Sequence, residues 1–183
     1  MTAARAEFGR VGYSEASINQ IIRRAGIPRG SFYMYFTGKE ELFHYIMCTY
    51  GQQLEKRMLQ LLAEQKGDLF AAFLALFDYG QAHWGQEKYG DLVQILHQNK
   101  QLQPEIFWQE QESFLQRLRA GMDLSLLDLR QEEDLTNLFR LLIPAVGRAL
   151  ITAVQTGRGA EMRAQLAAQF ELLKRGVTKK TAP

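Results

Sequence analysis

The 183-residue chain is 46% hydrophobic and 23% charged, an ordinary globular balance with enough length to bury a core, which excludes a disordered polymer. Its net charge of +2 excludes a uniformly basic nucleic-acid coat, and its single cysteine, Cys48, excludes an intrachain disulfide framework or a cysteine-rich zinc site. No run of about 18 uninterrupted apolar residues occurs, so neither a membrane partner nor an export signal is expected and the location read is cytoplasmic.

The charge is unevenly placed. Arg5, Arg10, Arg23, Arg24, Arg29 and Lys39 against Glu7 and Glu15 give residues 1–39 a net +4 and leave the remainder at −2. Prolines occur only at 28, 104, 144 and 183, and between them apolar residues recur at three- and four-residue steps, so the chain reads as all-α. The first 45 residues are divided into short pieces. Ser17-Ile18-Asn19-Gln20 has the form of a capping box, which predicts a helix burying Ile18, Ile21, Ile22 and Ala25 and closing at Gly26. Pro28 suits the opening of a following helix of about two turns. Thr37-Gly38-Lys39-Glu40 then offers a second capping box, with Glu40 as its acid. From Leu42 a long helix carries Phe43, Ile46, Tyr50, Leu54, Met58, Leu61 and Leu62 on one stripe. Further helices are predicted over about 68–85, 89–99, 104–122, 132–156 and 160–175. Glu132 and Glu133 read as first-turn acids, and Pro144 should kink or end the helix that holds it.

A helix, a glycine-containing turn and a second short helix are how a helix-turn-helix domain offers one helix to the DNA major groove. The second helix lies in IPRGSFYMYFTGKEEL, residues 27–42. Spacing assigns Phe32 and Phe36 to a small core with Phe8, Ile18, Ile22 and Leu42, and turns Tyr33 outward with a hydroxyl for phosphate. Tyr35 stays open between a buried ring and a hydroxyl at the rim. Arg29 suits a phosphate or guanine O6 and N7, Gly30 a close backbone approach, and Ser31 a base edge. Lys39 with the first amides of the long helix suits phosphate, and Ser17 suits both its own helix and the duplex backbone. The expected DNA contacts are therefore Ser17, Arg29, Gly30, Ser31, Tyr33, Tyr35 and Lys39.

At these residues the sequence resembles the TetR/AcrR family of bacterial transcriptional regulators. FGRVGYSEASINQIIRRAGIPRGSFYMYFTGKEELF, residues 8–43, is similar to the family pattern F-x-x-x-G-Y-x-x-x-[ST]-x-x-x-I-x-x-x-A-G-[VI]-x-[KR]-G-[ST]-[FL]-Y-x-[YH]-F-x-x-K-[ED]-x-L. The resemblance implies an N-terminal three-helix helix-turn-helix DNA-binding domain, residues 1–44, joined by a long helix to a C-terminal helical ligand-binding and dimerisation domain, residues 45–183. It further implies a homodimer on a palindromic operator in double-stranded DNA, most often as a repressor, released when a small apolar or amphipathic effector shifts the long helix. Only seven residues precede Phe8, so the family's first helix is expected here in truncated form, about two turns long.

Beyond the long helix, Phe73, Phe77, Trp84, Trp108 and Phe139, with His97 as a polar group, are the candidate effector pocket, although each aromatic by itself reads as ordinary core. Leu142, Ala145, Val146, Ala149, Leu166, Phe170 and Leu173 are the candidate interface between two copies, with internal packing as the alternative. No cofactor or metal is expected, and an enzyme is not indicated. His44, His83 and His97 are isolated, Cys48 has no assigned base, and no glycine-rich phosphate loop occurs. A helical protein-interaction adaptor without DNA binding is the remaining alternative, and it leaves Arg29, Tyr33 and Lys39 without a shared purpose.

Overall fold

Residues 1–83, 87–99 and 111–177 are described by the structure, a computed structural model. Among the described residues the chain is all-α, with nine helices and one 3-10 turn. The helices are α1 (Thr2–Glu15), α2 (Ile18–Ala25), α3 (Arg29–Tyr33), α4 (Lys39–Glu64), α5 (Leu69–His83), α6 (Glu87–Gln98), α7 (Gln111–Ala120), α8 (Asp134–Thr156) and α9 (Gly159–Val177), and the 3-10 turn is Leu124–Leu126. Two compact units result. One holds α1–α3, the first part of α4, and α6; the other holds the rest of α4 with α5, α7, α8 and α9.

In the first unit α1 is longer than the sequence predicts. It starts at Thr2 and is helical up to Gly12, whose φ of 79° and ψ of 171° break the regular path. A helix this short is marginal alone. Here it buries Ala4, Phe8 and Gly9 within the unit, and Arg5 reaches Asp91 of α6 at 3.6 Å. The break leaves the Tyr13 amide without a helical partner, and the Asn99 side chain accepts from it at 2.6 Å. The core beneath combines Phe8, Ile21, Ile22, Phe32, Leu42, Phe43, Ile46 and Tyr50 with Leu92 and Ile95 of α6, while Ile18 and Phe36 pack at its edge. Ala25, expected inside, is exposed. Burial pushes the Tyr50 phenol up to about 12, so it stays neutral at physiological pH.

α4 takes its stripe as predicted. Phe43, Ile46 and Tyr50 enter the first core; Met58, Leu61 and Leu62 enter the second; Leu54 is partly buried. The boundary expected at 44/45 lies within this continuous helix, and α6, expected with the C-terminal helices, packs in the first unit. The second core is filled by Phe70, Phe73, Phe77, Leu138, Phe139, Leu142, Leu166 and Phe170. α8 passes through Pro144 without ending. Pro144 is exposed, as is Arg140, whose carbonyl has no helical donor four residues on because proline carries no N–H. The acid that closes the start of α8 is Asp134, accepting from the Arg130 and Gln131 amides at 2.8 and 2.9 Å, not Glu132 or Glu133. Those amides hold the Asp134 carboxyl below its ordinary range.

Candidate nucleic-acid interface

α2 ends as its sequence dictates. Gly26 adopts the left-handed conformation at φ 65°, and the Ile27 amide returns to the Ile22 carbonyl at 3.3 Å, which turns the chain into α3. Pro28 precedes α3 with φ −62°, and its carbonyl accepts from Ser31 at 3.0 Å. α3 is only five residues long, shorter than the two turns expected. It is held by the buried Phe32 ring, against which Phe36 tilts at 5.8 Å and Tyr33 stands edge-on at 5.1 Å.

Both predicted capping boxes are replaced. The Ser17 side chain makes no cap hydrogen bond, and Gln20 accepts instead from Arg23 at 2.6 Å. The cause is Glu7 of α1. Its carboxylate accepts from the Ser17 amide, the position Gln20 would have taken. Glu7 is only 1% exposed, with Arg10 Nη2 at 2.9 Å and Arg24 Nη1 at 3.1 Å, so one buried anion ties α1 to both ends of α2. Burial alone would raise its pKa. The hydrogen bond and charge of Arg10, then the charge of Arg24 and the Ser17 amide, outweigh that and hold the carboxyl below its usual 4.5. At the start of α4, Glu41 and not Glu40 accepts from the Thr37 amide and hydroxyl, both at 2.7 Å, because the helix begins one residue later than the T-x-x-E spacing supposes. These bonds hold the Glu41 carboxyl below its ordinary range.

The predicted contact residues divide by surroundings. Arg29, Gly30, Tyr33 and Tyr35 are exposed, Tyr35 at 75%, which answers the question its spacing left open; Ser17 and Ser31 are partly covered. The Arg29 guanidinium lies 5.6 Å over the Tyr33 ring, so the two share one patch. Lys39 is engaged within the domain. Its Nζ donates to the Ser14 carbonyl at 2.8 Å and sits 4.8 Å over the Tyr13 ring, leaving two of its three donors for another acceptor. Sequence reasoning missed Met34, Tyr45 and Glu7. Met34, between Tyr33 and Tyr35 in the chain, is exposed, and Tyr45 is exposed on α4, edge-on to Phe36 at 5.6 Å. A signal for Glu7 exists in its i,i+3 spacing to Arg10 beside the core residue Phe8. Further along α4, Cys48 Sγ is 3.6 Å from the ring nitrogens of His44.

The other candidate sets fare differently. Phe73, Phe77 and Phe139 are fully packed in the second core, Phe73 meeting Phe139 at 5.7 Å, whereas His97 lies on α6 in the first unit; Trp84 and Trp108 lie outside the described residues. Leu142, Val146, Leu166 and Phe170, expected between two copies, are buried in the core of their own unit. Ala145, Ala149 and Leu173 are partly covered by that core. The strongest apolar stripe went inward, and the exposed apolar groups are its neighbours Leu141 at 56% and Leu172 at 68%.

Residues 1–46 match the family described as bacterial regulatory proteins, tetR family. Among curated proteins, an uncharacterized HTH-type transcriptional regulator, YdgC of Bacillus subtilis, is 33% identical over 64 residues, which span 35% of this chain and 33% of that protein. Thus the chain aligns with about a third of the length of that relative. Among solved structures, the SmeT–triclosan complex is similar over 100% of this chain and 92% of that one, with a TM-score of 0.65 at 19% identity. TylP, a TetR regulator from Streptomyces fradiae, covers 97% and 77% with a TM-score of 0.61 at 23% identity. A TetR-family regulator from Pectobacterium atrosepticum covers 98% and 92%, also at 0.61, with 19% identity. At such identities these likenesses show an all-helical fold shared with those proteins, and residues 1–46 of the chain carry a segment that matches the tetR family of bacterial regulatory proteins.

Proposed function

We propose that the chain is a DNA-binding transcriptional regulator that acts as a homodimer on a palindromic operator, as a repressor released by a small apolar or amphipathic effector. The observation that carries this is the exposed Arg29–Tyr33–Tyr35 patch on a short helix whose Phe32 is anchored in the core. Such a patch supplies a guanidinium and two phenolic hydroxyls to phosphate oxygens and base edges. Support for two copies comes from α8, whose most apolar stretch is only 28% buried in one chain, and from the exposed Leu141 and Leu172. By length and composition alone α8 would also suffice to cross a membrane, but its Leu135, Leu138, Phe139, Leu142 and Val146 pack into the second core. Release by an effector rests on α4. A ligand that displaces Met58, Leu61 or Leu62 acts on the same helix that carries Leu42 and Phe43 in the DNA-binding core. To switch effectively, it must favour the released state by a few kcal/mol.

The test is affinity for the promoter DNA flanking the gene as a function of salt. A dimer should lose affinity steeply as salt rises and should protect half-sites about 34–36 Å apart. Arg29→Ala with Tyr33→Ala should abolish operator binding and leave the far-ultraviolet dichroism and oligomeric state unchanged. Binding by this double variant at moderate salt would refute the site, and salt-independent behaviour of the parent protein would favour a protein-interaction adaptor.

A further inference from the structure

Met34 directly follows α3, and at 79% its side chain is the most exposed large apolar group among the described residues. This exposure is not that of a loose segment. The Met34 amide donates to the Gly30 carbonyl at 3.1 Å, and the amides of Tyr35 and Phe36 donate to the Phe32 carbonyl at 3.0 and 3.1 Å, above the buried Phe32 ring. The backbone is therefore fixed where it projects Met34 outward. Four residues earlier, on the same helical face, stands Gly30. A side-chain carbon added to Gly30 would meet nothing within 4 Å, so packing does not require a glycine there. Its lack of a side chain instead leaves a low surface beside a protruding thioether.

The chemistry of that protrusion is selective. A thioether has no hydrogen to donate and is a weak acceptor, so it gains nothing at a phosphate, which Arg29, Tyr33 and Tyr35 around it are equipped to meet. On the major-groove edge of a base pair, the apolar feature is the C5-methyl of thymine. Resting on the reading of this unit as a major-groove DNA-binding domain, we propose that Met34 is a specificity-determining residue that packs on a thymine methyl in each half-site.

The experiment uses the full-length protein and a random-sequence duplex library. Enriched duplexes are resynthesised with each thymine of a half-site replaced in turn by deoxyuridine, which removes only the methyl. For the parent protein one thymine per half-site should show a loss of about fourfold in affinity, the value of one buried methyl-sized group. The same replacement should cost Met34→Ala and Met34→Gln nothing, while Met34→Leu should keep the penalty. Because Met34 is exposed, all three variants should unfold at the parent temperature. Enrichment by the parent protein with no methyl-dependent thymine, or an equal penalty in parent and Met34→Ala, overturns the inference and leaves the DNA-binding reading intact. Failure of the parent to enrich any sequence, together with salt-independent binding, overturns both.

Discussion

Replacing Glu7 by Gln removes one charge from a buried site that holds two arginines and the first amide of α2. The expected loss is roughly 1–3 kcal/mol, that of a buried acceptor with charged donors left under-satisfied. Its pH dependence has a definite sign. The folded pKa is below the ordinary 4.5, so the contribution is complete above about pH 4.5 and is lost as pH falls through the lower folded value. Denaturant unfolding at neutral and acid pH should therefore show the gap between parent and Glu7→Gln narrowing in acid; a constant gap would contradict this. Gly30→Ala tests the opposite kind of residue. With open space around its α-carbon, alanine should stabilise the fold by about 0.4–1 kcal/mol yet weaken operator binding, because on the proposed reading the added methyl would stand where the duplex docks. Three- and four-residue spacing within one helix was enough to read Phe32 as anchor and Arg29 and Tyr33 as presented groups. For Glu7 only the Arg10 spacing was readable in that way, since its second partner Arg24 comes from another helix and only folding brings the two to 3.1 Å.

At the level of elements, α1 shows how a short helix is completed by a remote one. Gly12 breaks the helical path, and Asn99 supplies what the break removes, accepting from the Tyr13 amide while its Nδ2 donates to the Ile95 carbonyl at 2.7 Å. Asn99→Ala should cost about 1–3 kcal/mol in unfolding free energy for the amide left unpaired. Hydrogen exchange at Tyr13 should rise with it, and unchanged protection would exclude the role. The sequence predicted a truncated first helix because only local length was visible. The packing on α6 that extends it involves residues far along the chain. The helix-turn-helix, the long α4 and the positions of α5, α8 and α9 were legible, because their apolar periods and glycine or proline punctuation are local. Helix starts were less so: Glu41 in place of Glu40 as cap partner, and Asp134 in place of Glu132 and Glu133 as first-turn acid, depend on where the first helical residue falls.

For the whole molecule, the competing claims on α8 and α9 matter most. An apolar stripe runs along each of these helices with a further leucine beside it, and composition cannot say which of these groups the subunit keeps. The structure puts Leu142, Val146, Leu166 and Phe170 inside and leaves Leu141 and Leu172 outside. Charge at the outer pair should therefore separate assembly from folding. Leu141→Glu with Leu172→Glu is expected to sediment as a monomer with parent-like helical content, and to bind the operator at least about 100-fold more weakly once the two half-sites are no longer linked. A folded dimer from this variant would place the proposed interface elsewhere. Cys48, the only cysteine and half-buried beside His44 on α4, has a use in the same question. A nitroxide attached there labels each subunit once, so a dimer carries a single spin pair. Its distance distribution, recorded with and without operator and effector, is an internal ruler for the α4 displacement that the proposed release requires.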